Sequence, residues 1–282
     1  MIPDLLIVTN GFKRSWSAIE YGAAIARSLR IKTTLLGVTE ELNPAAIDDH
    51  HPLEDIFADA VELFQNSGVE YSLDIRNGVA ENIIPEVANH GNFITVVSPL
   101  GRPQLKRWLT GRSIRSLMER IQNPILYVPE SRLPLKKILI TVGGLGYEEA
   151  VEHIAVAVAG ASKAEVTILY VIPPTDLNYP STLEVQDHVN DLANTDTLPG
   201  RSLRRALDIT QKAGLNAIAT ARQGHIVEEI LAEIKEGDYD LVCMGSAYSA
   251  HTLRQYYSPN VTAEVAEATP CPVLMARSAR RE

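Results

Sequence analysis

Two stretches of the sequence decide the fold: Leu5-Leu6-Ile7-Val8-Thr9-Asn10-Gly11 and Ile138-Leu139-Ile140-Thr141-Val142-Gly143-Gly144. Each is a short apolar run that ends at a glycine. Runs of this length between turn residues are typical of buried parallel strands. Because the second stretch repeats the pattern of the first about half a chain later, the pair indicates a large internal repeat.

The repeat extends through both halves of the chain. A helical pattern follows each of the two strands, with apolar residues spaced three and four apart along one face. Later segments also match in pairs: Thr33 to Val38 with Glu165 to Val171, Gly78 to Ile84 with Gly224 to Ile230, Phe93 to Val97 with Asp240 to Met244, and Asn123 to Val128 with Cys271 to Met275. Alternating strands and helices predict an α/β fold of two similar doubly wound domains, each a five-stranded, mostly parallel sheet flanked by helices.

The length of 282 residues fits two domains, since single domains usually have ~100–200 residues. A charged connector that carries Pro129 and Pro134 divides the chain, so we expect domains at 1–132 and 133–282. Pro85 lies inside a predicted helix, and we expect it near the first turn, where a missing N–H costs little.

Composition restricts the classes of function. The net charge of -9 argues against broad nucleic-acid binding, which usually shows a basic footprint. The sequence shows neither a signal peptide nor an apolar stretch long enough for a membrane helix, so we expect a cytoplasmic protein without membrane insertion. Cys243 and Cys271 lie in apolar runs and are expected to be buried structural thiols.

The most informative segment is the basic loop that follows the fourth strand of the first half. Gly101 and Gly111 are separated by nine residues, and a helical pattern begins directly after Gly111. A glycine-bounded loop that runs into a helix N-terminus presents backbone N–H groups to an anion. The loop also carries arginines and lysines, among them Arg102 and Arg112. These features favour a phosphate-bearing ligand, and the alternative is a solvated basic face beside a turn.

This loop resembles the universal stress protein motif Gly-x2-Gly-x9-Gly-Ser/Thr, and both halves follow that family's order of strands and helices. Gly101 and Gly111 match the second and third motif glycines. Ser98 stands where the first glycine belongs, Arg112 replaces the Ser/Thr, and Ser113 follows one position later.

The resemblance also implies roles for the ends of the first two strands. Members that hold ATP usually carry an aspartate after the first strand, where this chain has Asn10, and Val38 matches a position whose backbone meets the adenine. The residues predicted to bind nucleotide are Asn10, Gly11, Val38, Ser98, Gly101, Arg102, Gly111, Arg112 and Ser113.

The second half departs further from the motif. Gly245 and Ser246 match its start, but Tyr248 replaces the second glycine and Gly143 stands where the aspartate belongs. A bulky residue where a backbone must approach a phosphate obstructs binding. We therefore expect the second site to be closed or altered.

The resemblance implies a stress-response module that binds an adenine nucleotide, ATP or AMP, mainly in the first half. Magnesium would accompany ATP, and the role would be regulatory rather than catalytic. One alternative is a nucleotide-free scaffold for dimerisation or interaction, and a second is a slow ATP hydrolase. The implied partners are the nucleotide, other proteins and a second copy, unless the two halves form an internal pseudo-dimer. No catalytic residue, metal ligand or nucleic-acid partner is predicted.

Overall fold

The computed structural model describes residues 2–39, 52–99, 114–143, 149–174, 189–246 and 261–277. The chain divides into two compact units, Met1–Ser131 and Arg132–Glu282. In the described part of the chain, no helix combines the length and the apolar character needed to cross a membrane.

The first unit alternates strands and helices, as the apolar runs predict. Its elements are β1 Asp4–Thr9, a 3-10 turn Lys13–Ser15, α1 Trp16–Leu29, β2 Thr33–Thr39, α2 Pro52–Ser67, β3 Tyr71–Asn77, α3 Ala80–His90, β4 Phe93–Val97, α4 Ile114–Arg120 and β5 Ile125–Tyr127. The sheet has the order β3-β2-β1-β4-β5. All of its strand pairs are parallel.

The second unit repeats this plan. Its elements are β6 Lys137–Val142, α5 Glu149–Ser162, β7 Glu165–Ile172, a 3-10 helix Val189–Asn194, α6 Leu198–Lys212, β8 Ala217–Gln223, α7 Ile226–Gly237, β9 Leu241–Ser246, α8 Val261–Ala268 and β10 Val273–Arg277. The sheet order is β8-β7-β6-β9-β10, again with parallel pairs. The predicted pair of similar doubly wound α/β sheets is confirmed.

Burial distinguishes the central strands β1 and β6 from β3 and β8, which lie at one edge of each sheet. In β1 and β6 the five residues after the first are all buried, because helices cover both faces of a doubly wound sheet. The edge strands β3 and β8 are mixed, with several exposed positions each. This difference explains why the apolar runs of the sequence point to the central strands more clearly than to the edges.

The position of Pro85 differs from the prediction. The helix α3 begins at Ala80, so Pro85 lies in its second turn, where its missing N–H removes the usual donor to the Glu81 carbonyl. Arg120, the last residue of α4, supplies a replacement, because its Nη1 donates to that carbonyl. The same nitrogen donates to Asn82 Oδ1 at 2.9 Å. The helical hydrogen bond that Pro85 cannot make is therefore replaced by one from another helix.

Candidate functional site

The strand order of the first unit reverses between β1 and β4. The chain adds β2 and β3 on one side of β1 and then returns to add β4 and β5 on the other. Ile7 of β1 is in register with Val96 of β4, so the two strands end side by side. Ligands of open parallel sheets bind in the crevice beyond such carboxyl ends. The loops that begin at Asn10 and Ser98 flank this crevice, as the sequence predicts.

Hydrogen bonds fix the loop between β1 and α1. Gly11 has a φ of 84°, and its N–H donates to Thr9 Oγ1 at 3.2 Å. The hydroxyls of Thr9 and Ser15 lie 2.6 Å apart, and Ser15 donates to the Phe12 carbonyl at 2.7 Å. Because Ser15 uses its only proton there, Thr9 donates to Ser15. The side chains of Thr9 and Ser15 are fully buried, so this chain of bonds sets the direction in which the loop leaves the sheet.

Two polar atoms at the crevice have no hydrogen-bond partner in the described structure. They are Asn10 Oδ1 and Ser98 Oγ, and both atoms are buried. Ser98 as a whole is 4% exposed. Leaving a buried polar atom unsatisfied costs ~1–3 kcal/mol, and such atoms are uncommon in folded proteins. Their position beyond the ends of two neighbouring strands is where a bound ligand would supply the missing partners.

The backbone of Val38 offers a further acceptor. Leu5 N–H donates to the Lys32 carbonyl at 2.9 Å, and alternate residues of a parallel strand bond to the same neighbour. The even-numbered residues of β2 therefore face β1, and a continued ladder would bring Gly11 N–H to the Val38 carbonyl. That N–H is turned to Thr9 Oγ1 instead. The Val38 carbonyl thus points past the end of β1 toward the crevice.

The structure brings together four of the predicted residues, Asn10, Gly11, Val38 and Ser98, at the ends of three adjacent strands. The rest of the predicted set lies outside the described residues: Gly101, Arg102, Gly111, Arg112 and Ser113. Their contacts with phosphate stay predictions. Thr9 and Ser15 were not predicted. The signal in the sequence was a hydroxyl residue at the end of β1 and another directly before α1.

The corresponding place in the second unit is built differently. Gly143 follows β6 where Asn10 follows β1, so no side-chain amide is present there. Thr262, in the first turn of α8, donates its hydroxyl to the Gly245 carbonyl at 3.0 Å. Ile114 begins α4 at the matching position of the first unit and cannot make this bond. Tyr248 lies outside the described residues.

The two cysteines are buried and free, as expected from the sequence. Burial raises the pKa of the Cys271 thiol to about 12, and burial also raises the pKa of Cys243. The Cys271 thiol donates to the Tyr239 carbonyl at 3.1 Å. Because the thiolate is the reactive form of cysteine, these side chains act as packing groups at neutral pH.

Comparison with known proteins identifies the family. The model of the universal stress protein family matches residues 134–277, just over half of the chain. This chain belongs to the universal stress protein family. The search of curated proteins gives no match.

Two solved structures of universal stress proteins, which align with nearly the whole chain, show the same fold. One from Archaeoglobus fulgidus DSM 4304 has 16% identity and a TM-score of 0.67, covering 99% of this chain and 98% of its own. A putative universal stress protein from Pseudomonas aeruginosa UCBPP-PA14 has 18% identity and a TM-score of 0.63, covering 98% and 93%. A third, from Archaeoglobus fulgidus in complex with dAMP, has 14% identity and a TM-score of 0.36, covering 51% and 98%.

Within the family fold, the two units of this universal stress protein have diverged at the same place. Asn10 and Ser98 give the first crevice an amide and a hydroxyl, while Gly143 and Gly245 give the second crevice backbone alone. At these two matching positions, the polar side chains among the described residues belong to the first unit.

Proposed function

We propose that the first unit binds an adenine nucleotide, ATP or AMP, and that its occupancy has a regulatory role in a stress response. The observation that carries this proposal is the pair of buried, unpartnered atoms Asn10 Oδ1 and Ser98 Oγ beyond β1 and β4. Family membership gives the stress context.

The polar groups of the crevice match those of an adenosine. Asn10 Oδ1 is an acceptor, which suits a ribose hydroxyl, and the Val38 carbonyl is an acceptor, which suits the exocyclic amine of adenine. The Ser98 hydroxyl can donate to a ribose or phosphate oxygen. In the proposal, phosphates meet backbone N–H groups around Gly101, Gly111 and Arg112, with Arg102 and the Ser113 hydroxyl nearby. Magnesium would enter with ATP through its phosphates.

The same groups support binding rather than catalysis. The amide of Asn10 does not titrate, so it cannot act as a general base. A serine hydroxyl such as that of Ser98 is a weak nucleophile unless a base activates it. We therefore propose a regulatory module, with slow ATP hydrolysis as the competing hypothesis.

Calorimetric titration of ATP, AMP and GTP into the desalted full chain, with and without magnesium, tests the proposal. We expect one equivalent of adenine nucleotide to bind. We expect GTP to bind more weakly, because guanine presents a carbonyl oxygen, not an amine, to the Val38 carbonyl. Asn10→Leu should weaken ATP binding by roughly 5- to 100-fold, the equivalent of one buried hydrogen bond. The matched control is Asn92→Leu, at an exposed asparagine before β4.

Four results would contradict parts of the proposal. No heat from any adenine nucleotide would favour the nucleotide-free scaffold. If Asn10→Leu binds ATP as tightly as the wild type, the ligand does not lie in this crevice. If Gly111→Val binds ATP as tightly as the wild type, the phosphates do not contact the predicted loop. Release of inorganic phosphate from ATP in the same samples would replace a regulatory role by a hydrolytic one.

A further inference from the structure

The strand β3 forms one edge of the first unit's sheet, and β2 is its strand neighbour among the described residues. Two large aliphatic side chains on it are exposed, Leu73 to 47% and Ile75 to 60%. An unpaired edge that carries exposed aliphatic side chains is a template for pairing with another strand.

The ladder between β2 and β3 decides which backbone groups of β3 are open. Thr33 N–H donates to the Glu70 carbonyl, and Gly78 N–H donates to the Thr39 carbonyl, both at 2.9 Å. Because alternate residues of a parallel strand bond to the same neighbour, the even-numbered residues from 70 to 78 face β2. The odd-numbered residues of β3 therefore direct their N–H and C=O groups to the outside.

The charges of β3 are self-complementary. Asp74 and Arg76 are its charged residues, and their side chains are 30% and 55% exposed. In an antiparallel pair of two β3 strands with the two-fold axis at Ile75, each Asp74 lies opposite Arg76 of the second copy. The same register brings the outward backbone groups of Ile75 together, and those of Leu73 opposite Asn77.

Three other registers also join the outward backbone groups, but their cross-strand charge pairs are less favourable. An axis at Asp74 or at Arg76 sets like charges directly opposite each other, which is destabilising. An axis at Leu73 sets Arg76 opposite Glu70, which also binds Lys32 at 2.7 Å, and leaves Asp74 opposite the uncharged Ser72. The register centred on Ile75 is therefore the favoured one.

The edge strand of the second unit lacks this arrangement. β8 has the sequence Ala-Ile-Ala-Thr-Ala-Arg-Gln, with Arg222 as its one charge. That guanidinium is held by three carboxylates of α7: Glu229, Glu233 and Glu236. Two β8 strands would bring no opposite charges together, so self-complementarity is a property of β3 and not of edge strands in this protein generally.

We propose that β3 is a self-association edge, through which two copies of this chain pair antiparallel about a two-fold axis at Ile75. One pair of strands buries less than the ~1,200–2,000 Å² of a stable interface, so the dimer is weak and depends on concentration. The proposal does not depend on nucleotide binding.

Sedimentation velocity of the full chain, from low micromolar to near-millimolar concentration, measures the dimer. Asp74→Arg and Arg76→Asp should each weaken self-association by about tenfold or more, because like charges then face each other twice. A mixture of the two variants should form a heterodimer as tight as the wild-type dimer, because opposite charges face each other again. The heterodimer also shows that both variants are folded.

Disulfide trapping tests the register. In the proposed pair, Ile75 faces Ile75 of the second copy with Cα atoms about 5.5 Å apart, within the range of a disulfide. Ile75→Cys should form a covalent dimer on mild oxidation. Leu73→Cys is the matched control and should stay uncrosslinked, since two Leu73 residues lie several residues apart. The native Cys243 and Cys271 are buried, so we expect no crosslinking in the wild-type chain.

Each outcome decides the proposal. A chain that stays monomeric at every concentration overturns it, and so does a dimer that survives both single charge reversals, because that dimer uses another surface. Crosslinking of Leu73→Cys in place of Ile75→Cys overturns the register. Loss of the dimer in both single variants, its return in the mixture and crosslinking at Ile75→Cys establish it.

Discussion

At the scale of single residues, Arg120 has a role that its exposed position does not suggest. It ends α4, and its guanidinium donates to the Glu81 carbonyl, for which Pro85 cannot supply the usual helical N–H. We expect Arg120→Met to lower the free energy of unfolding of the first unit by ~1–3 kcal/mol, because a carbonyl in α3 loses its donor. Tryptophan fluorescence during urea unfolding measures this, since Trp16 and Trp108 both belong to the first unit.

A second substitution separates this contact from general helix packing. Pro85→Ala restores the N–H that donates to the Glu81 carbonyl, so Arg120→Met should cost less in the Pro85→Ala background than alone. Arg27→Met, at an exposed position of α1, is the matched control and should change the free energy of unfolding by less than ~0.5 kcal/mol. Equal losses in both backgrounds would show that Arg120 does not act through this carbonyl.

At the scale of elements, matching edge strands use a matching arginine in two ways. Arg76 of β3 is in register with Val38, and Arg222 of β8 is in register with Val171. Arg76 contacts Asp74 on its own strand. Arg222 donates to Glu229 at 2.9 Å, to Glu233 at 2.7 Å and to Glu236 at 3.0 Å. The network in the second unit therefore ties the edge strand to the helix that follows it.

We expect this network to make the attachment of α7 depend on pH. The hydrogen bond from Arg222 lowers the pKa of Glu236 below its ordinary value of 4.5. A carboxylate with a lowered pKa in the folded state contributes stability above its ordinary value, and the contribution is lost as the pH falls through the folded value. In Arg222→Met the three carboxylates repel one another instead. We expect the wild type to protect α7 amides from hydrogen exchange more than the variant at neutral pH.

The pH dependence of that difference is the decisive measurement. It should shrink below pH ~4.5, as the pH falls through the lowered pKa of Glu236 and the protonated side chain loses its attraction to Arg222. Glu228→Gln is the matched control on α7, because Glu228 is an exposed carboxylate of the same helix and is not one of the three that bind Arg222. A difference between wild type and Arg222→Met that is constant from neutral to acid pH would mean that Arg222 acts through packing alone.

The elements also show how far the sequence predicts the fold. Leu5 to Thr9 and Ile138 to Val142 are continuous apolar runs, because both faces of these strands are buried, and they were predicted correctly. β3 mixes Leu73 and Ile75 with charged residues because it is an edge, and its bounds were not predicted. Pro85 was expected near the first turn of its helix, but it is the sixth residue of α3, which begins at Ala80. Whether Asn10 Oδ1 has a hydrogen-bond partner depends on neighbouring strands, so it cannot be predicted from one segment of the sequence.

At the scale of the whole molecule, the two units differ at matching positions where their central strands end. Asn10 and Ser98 hold buried, unpartnered atoms in the first unit. Their counterparts Gly143 and Gly245 have no side chain, and Thr262 already donates to the Gly245 carbonyl. In the described part of the chain, the two units therefore share a scaffold but not these two polar side chains.

This asymmetry predicts where a bound nucleotide protects the chain. With saturating ATP, hydrogen exchange should slow in peptides that span residues 5–15 and 94–99, because the ligand satisfies Asn10 and Ser98 and holds the loop built on Thr9. Peptides that span residues 138–143 and 241–246 should exchange at the same rate with and without ATP. In Asn10→Leu at the same ATP concentration the protection should fall or vanish, whereas Asn92→Leu should keep it. Protection confined to the second unit would contradict the prediction, because the ligand would then bind there. Equal protection in both units would mean that backbone groups are sufficient for binding without Asn10 and Ser98.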